Sequence, residues 1–154
     1  MTDALLPGST IGILGGGQLG RMLSLAAARL GLKTSVYEPD PNAPAGQVCD
    51  KLTTASYDDL DALRAWAADV DVITYEFENI PTDALDALEA LKPIHPNRRA
   101  LAVSQDRLTE KAFLTHLGLK TAPFAAVDDA EDVAEALAEI GAPAGLKTRR
   151  YGYD

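Results

Sequence analysis

One cysteine (Cys49), two histidines (His95 and His116) and one tryptophan are all that this 154-residue chain has of those three types. A single thiol can form neither an internal disulfide nor a cysteine-based zinc site. With only two imidazoles beside it, the chain is poor material for metal chemistry. Positive charge is also scarce: 14 Lys and Arg face 23 Asp and Glu, a formal net charge of −9. Binding to a nucleic-acid backbone draws its energy from many cations neutralising phosphates, so that class is set aside. A small anionic ligand in a local cationic pocket is not. No apolar run approaches the roughly 20 residues that cross a bilayer, so no membrane partner is expected. Met1-Thr2-Asp3-Ala4-Leu5-Leu6-Pro7 has no basic stretch ahead of a long apolar core, so no export is expected and the default address is the cytoplasm. What remains, 47% apolar and 24% charged residues, is globular composition, enough for one domain or one domain plus part of a second.

The first organised stretch, Thr10-Ile11-Gly12-Ile13-Leu14, reads as a strand running into Gly15-Gly16-Gly17. A helix follows, with Leu19, Met22, Leu23, Ala26 and Leu30 at three- and four-residue spacings as its apolar face and Gly31 as its left-handed stop. Thr34–Tyr37 is a second strand, and strand–glycine turn–helix–strand opens a doubly wound parallel sheet. After a Pro/Ala/Gly loop at 42–47 come a short strand at 51–54, a helix capped by Ser56, and a fourth strand at 71–75. Pro81 opens a helix carrying Leu85, Leu88 and Leu91, and Ile94 is a candidate fifth strand. A different character begins near Ser104: a helix capped by Asp106, a strand at 123–127, an acidic helix at 128–140 and another strand from Gly145 to Arg150. The expected division is a complete domain at 1–103 and the beginning of a second at 104–154, truncated in a loop.

Gly15-Gly16-Gly17-Gln18-Leu19-Gly20 satisfies G-x-G-x-x-G between a strand and a helix, where bare amides can receive an anion. Glu38, near the offset of an acidic ribose partner, makes a dinucleotide one candidate ligand; close packing of strand and helix is the plainer alternative. Glu76 and Glu78 lie just beyond the fourth strand, and residues two apart on an extended chain point the same way, so both carboxylates can face one cleft and accept ribose hydroxyls. Arg107 at a helix start opposes the macrodipole, a broken rule that points to service of a ligand. Lys147, Arg149 and Arg150 are a cationic island, with Lys147 and Arg149 on one face of an extended strand and Thr148 and Arg150 on the other. Such cations suit a polyphosphate, and a solvated strand end is the plainer alternative.

Four segments in register carry a resemblance: Gly15–Leu23, Tyr75-Glu76-Phe77-Glu78-Asn79-Ile80-Pro81, Ser104–Leu108 with Lys111, and Leu146–Asp154. Together they resemble the 5-(carboxyamino)imidazole ribonucleotide synthase (PurK) family of the ATP-grasp superfamily, over essentially the whole chain. The resemblance implies an α/β fold: a Rossmann-like pre-ATP-grasp domain with a parallel sheet, then the start of an α+β ATP-grasp domain. It implies ATP-dependent carboxylation of 5-aminoimidazole ribonucleotide (AIR) with bicarbonate, in purine biosynthesis. The AIR phosphate would sit near Gly17, Gln18 and Leu19, and its ribose near Glu76 and Glu78. Arg107 and Lys147 would contact ATP phosphates, with Gly152, Tyr153 and Asp154 opening a flexible loop over the nucleotide; Tyr153 and Asp154 would stand near the reacting centre, Asp154 orienting the amine or taking its proton. Gly145 departs from the family's usual apolar residue. Family members bind Mg2+ through residues further along, none in this chain, and are homodimers at full length, so these 154 residues alone are expected to be inactive. An NAD-dependent oxidoreductase domain and a non-enzymatic nucleotide-sensing domain are the alternatives.

Overall fold

The computed structural model describes residues 4–152. The chain divides into two compact units, Met1–Leu101 and Ala102–Asp154.

The first unit is built on a four-stranded, all-parallel sheet in the order β3-β2-β1-β4. Its strands are β1 (Thr10–Leu14), β2 (Lys33–Tyr37), β3 (Lys51–Thr53) and β4 (Val72–Tyr75). Parallel neighbours need crossovers, and helices α1 (Gln18–Arg29) and α2 (Leu60–Ala67) supply them. Successive side chains leave a strand on opposite faces, so β1 and β2 feed two cores. Leu14 and Tyr37 join Leu63, Trp66, Ile73, Leu85 and Leu88 in the larger one, while Ile13 and Val36 pack with Ala45 in the smaller. Helices α3 (Thr82–Glu89) and α4 (Arg98–Ser104) follow, and Leu101 of α4 is buried in the larger core.

Helix α1 ends as expected: Gly31 takes φ +74°, its N–H donates to the Ala28 carbonyl, and the Leu32 N–H reaches back to Ala27, a Schellman closure. Its buried face is not the expected one. Gly20, Ser24 and Ala27 are buried, whereas Leu19, Met22, Leu23, Leu25 and Leu30 are exposed. The small residues let the helix lie close to its neighbours; a Cβ on Gly20 would stand 2.5 Å from the Gly15 carbonyl oxygen. Ser24 turns its hydroxyl onto the Gly20 carbonyl at 2.9 Å.

Three further expectations need correcting. Asp59, not Ser56, caps α2, accepting from the Ala62 N–H at 2.9 Å, because Ser56 is already engaged in a turn that holds the Asp58 and Asp59 amides. The loop at 42–47 contains a 3-10 turn, Pro44–Gln47, and Ile94 makes one isolated parallel bridge to Ile73 rather than a strand.

In the second unit, α5 (Arg107–His116) starts on Asp106, whose carboxylate accepts from the Thr109 N–H at 2.9 Å, and Gly118 follows its end at φ +77°. Helix α6 is Asp132–Ile140, shorter than the expected 128–140. Neither 123–127 nor 145–150 forms a strand. Among the described residues they have no ladder neighbour; instead nearby carbonyls are taken up by α5, that of Ala122 by Lys111 and that of Arg149 by the Arg107 N–H.

Candidate functional site

The parallel register sets Leu14 beside both Tyr37 and Tyr75, so the three chains leave the sheet at one edge. The residues that follow, Gly15, Glu38 and Glu76, meet there. Gly15 turns at φ +105°, a region that favours glycine. The Gly16 N–H donates to Glu38 Oε2 at 2.7 Å. The Gly17 N–H donates to Glu76 Oε1 at 3.0 Å and the Gly20 N–H to Glu76 Oε2 at 3.2 Å. The two acidic side chains thus enter the glycine loop from opposite flanks and hold its amides. Gln18 and Leu19 follow with exposed side chains at the start of α1.

This differs from the sequence-based picture in two ways. Glu38 is not extended towards a ribose site; it folds back on Gly16 and on the Asp40 N–H at 3.0 Å. Glu76 and Glu78 do not share an extended stretch either, since β4 ends at Tyr75 and 76–79 is bend and turn. Glu76 enters the loop, while Glu78 is half-buried without a bond to it among the described residues.

Sequence reasoning passed over Tyr57. Its hydroxyl donates to Glu38 Oε2 at 3.3 Å, and its ring lies between those of Tyr37 and Phe77, with centroids 5.9 and 6.2 Å away. Burial pushes its phenol well above the ordinary range, and the Glu38 carboxylate pushes it further, so it stays a proton donor. No spacing rule links residue 57 to residue 38; only the fold does.

The second unit holds a cleft of about 640 Å³ whose lining includes Arg107, Lys111, Phe124, Lys147 and Arg149. Arg107 and Lys147, singled out separately in the sequence, are brought to one cavity. The tie between them is main-chain: the Arg107 N–H donates to the Arg149 carbonyl at 3.0 Å. Lys111 reaches the Ala122 carbonyl at 3.1 Å and lies 5.2 Å from the Phe124 ring centroid, a cation–π distance. Arg149 pairs with Asp128 at 2.5 Å, whereas Lys147 is exposed and enters no salt bridge among the described residues. Thr148 also lines the cleft and Arg150 does not, so the expected alternation of faces is only half kept.

Gly152 lies against Arg107: a Cβ there would stand 2.7 Å from a guanidinium nitrogen. Tyr153 and Asp154 lie outside the described residues. Among the described residues, no three His, Cys, Asp or Glu side chains gather where they could hold a metal ion. No described helix is long and apolar enough to cross a membrane.

Residues 8–105 match the family model of the ribonucleotide synthetase preATP-grasp domain. The chain is 53% identical over 151 residues to the N5-carboxyaminoimidazole ribonucleotide synthase of Brucella melitensis biotype 1, a match covering 98% of this chain and 42% of the relative. It is similar to a crystal structure of the ADP complex of the synthetase purK, at 46% identity and TM-score 0.94, over 100% of this chain and 41% of that one. It is also similar to N5-carboxyaminoimidazole synthase from Aspergillus clavatus in complex with ADP and 5-aminoimidazole ribonucleotide, at 32% identity and TM-score 0.83, over 95% of this chain and 40% of that one. The chain therefore spans about two fifths of the length of the relatives it matches.

Proposed function

The chain belongs to the family of ribonucleotide synthetase preATP-grasp domains, and on that basis we propose that it serves an ATP-grasp ligase carboxylating 5-aminoimidazole ribonucleotide. ATP and bicarbonate are the other substrates, and ADP and phosphate are released. In this reading 1–103 is the AIR-binding domain and 104–154 the beginning of the ATP-grasp domain. The observation that carries it is the likeness, over 95% of this chain, to a synthase whose structure holds both ADP and 5-aminoimidazole ribonucleotide. The dinucleotide reading is not favoured, because Glu38 and Glu76 already hold the amides a pyrophosphate would need.

The chemistry has two steps. A bicarbonate oxygen attacks the γ-phosphorus of ATP, releasing ADP and forming carboxyphosphate. The AIR amine then attacks the carboxyl carbon, phosphate leaves, and the amine gives up a proton. Phosphoryl transfer depends mainly on positioning and on stabilising spread negative charge. Arg107 and Lys147 on one cleft supply cations for the nucleotide phosphates, and Gly152 beside Arg107 starts the loop that would cover them. Tyr153 and Asp154, which lie outside the described residues, are assigned to the reacting centre by the resemblance alone, with Asp154 the candidate to orient the amine or take its proton.

In the first unit, the AIR phosphate would sit near Gly17, Gln18 and Leu19 at the start of α1, taking the Gln18 and Leu19 amides because the Gly17 N–H already donates to Glu76. Glu76 and Glu78 offer carboxylate oxygens to the ribose. Both Glu76 oxygens accept one amide each, which leaves lone pairs for hydroxyl donors. The resemblance assigns the Mg2+ ligands to residues further along the full-length protein, and no step is routed through the metal. The same resemblance supports a cytoplasmic homodimer.

The test is phosphate release by the full-length protein supplied with ATP, bicarbonate and AIR. Release that requires AIR, with N5-carboxyaminoimidazole ribonucleotide as product, supports the reading. ATP hydrolysis indifferent to AIR refutes it.

A further inference from the structure

The residue composition of the glycine loop is accounted for by the protein's own carboxylates. A Cβ on Gly15 would lie 2.3 Å from Glu76 Cγ, one on Gly17 would lie 2.8 Å from Glu76 Oε1, and one on Gly16 would lie 2.8 Å from Glu38 Cγ. At Gly15 and Gly16 a side chain would thus run into the inner carbons of Glu76 and Glu38, with Ala43 also close to Gly16, and at Gly17 it would displace the Glu76 carboxylate. The amides that a G-x-G-x-x-G loop ordinarily offers to a pyrophosphate are the same ones engaged by Glu38 and Glu76. Tyr57 steadies the Glu38 carboxylate from outside the loop.

We propose that Glu76 is the resident anion of the glycine loop: it orders the loop by clasping the Gly17 and Gly20 amides, and it shuts dinucleotides out. Two properties follow from one carboxylate. A pyrophosphate seated on the Gly17 and Gly20 amides would have to displace the Glu76 oxygens that already accept from them, whereas a phosphate on the neighbouring Gln18 and Leu19 amides would not. The loop is also pre-organised without any ligand, because the amides that would otherwise need an anion already have one. Glu76 is thereby a positioning and specificity-determining residue, a role that stands whether or not its remaining lone pairs meet a ribose.

The experiment follows individual amides in the full-length protein, with neither AIR nor ATP present, so that its outcome is separate from that of the ligase reading. In Glu76→Ala, the Gly17 and Gly20 amides should exchange with solvent at least tenfold faster than in the parent. Sodium acetate, as a carboxylate probe, should restore their protection and shift their resonances. Inorganic pyrophosphate should shift the same two amides in the variant and leave them unmoved in the parent. Amides that stay protected in Glu76→Ala, or that ignore both probes, overturn the proposal. Should Glu76→Ala fail to fold, Glu76→Gln keeps one acceptor oxygen and therefore should lose protection at one of the two amides. Unchanged protection at both would overturn it equally.

Discussion

The indole N–H of Trp66 donates to the hydroxyl of Ser35 at 2.9 Å, and each residue is only 2% exposed. This bond ties α2 to the middle of β2 inside the larger core. Replacing Ser35 by Ala removes the acceptor and strands a buried donor, which costs about 1–3 kcal/mol. Because Trp66 is the single tryptophan, its fluorescence during urea unfolding reads both the loss of stability and the change at its own ring. A midpoint unmoved by Ser35→Ala would mean that another acceptor reaches the indole.

Gly12 sits under the same ring. A Cβ there would stand 2.8 Å from Trp66 and 3.1 Å from Val70. Gly12→Ala therefore overpacks a central strand against a buried indole, for a loss of about 1–3 kcal/mol. Thermal unfolding of the variant, with near-ultraviolet dichroism to follow the indole, checks both the size and the place of the effect.

Asp106 supplies a pH-dependent contribution. The Thr109 main-chain N–H holds its carboxyl below the ordinary range, with the Leu108 amide and Arg149 adding to this. A depressed folded-state pKa means that the cap is fully effective above the unfolded value, about pH 4, and is lost as pH falls through the depressed value. Asp106→Ala should cost about 1 kcal/mol near neutrality, and the difference from the parent should shrink at pH 3. Asp106→Asn, which caps without titrating, should keep the stability and remove this pH dependence. Urea titrations at the two pH values decide it.

For the ligase reading, Lys147→Ala and Arg107→Ala in the full-length protein should raise the KM for ATP and leave AIR affinity largely intact. A lost charge-assisted hydrogen bond of about 1.5–3 kcal/mol corresponds to roughly ten- to hundredfold. Glu76→Ala should weaken AIR instead. Initial rates with each substrate varied in turn separate the two patterns, and ATP kinetics untouched by either cation variant would remove both residues from the nucleotide site.

How far the chain could be read in advance depended on whether the information was local. The parallel sheet and the Gly31 stop were legible because strand, glycine turn, helix and strand follow one another without interruption. The face of α1 was not, because Gly20, Ser24 and Ala27 repeat with the same helical period as the leucines but one residue, about 100°, further round the helix. Hydrophobicity alone chooses the wrong phase when close approach, rather than bulk, decides which side is buried. The cap of α2 moved by three residues for a different reason: Ser56 and Asp59 are both good caps, and the turn at Ser56 took the first. Arg107 and Lys147 could be flagged one by one, but their shared cleft depends on a bond between Arg107 and Arg149 that no pattern announces. Glu76 was legible as an acid at the sheet edge, yet its direction was set by the turn after β4.

The carboxylates that hold the glycine loop arrive from 22 and 59 residues away along the chain. The turn itself is local, but its clasp needs β1 paired with both β2 and β4, which bring Glu38 and Glu76 to the same edge. The glycine turn is therefore held by tertiary structure: it keeps its shape only where β1 lies between β2 and β4.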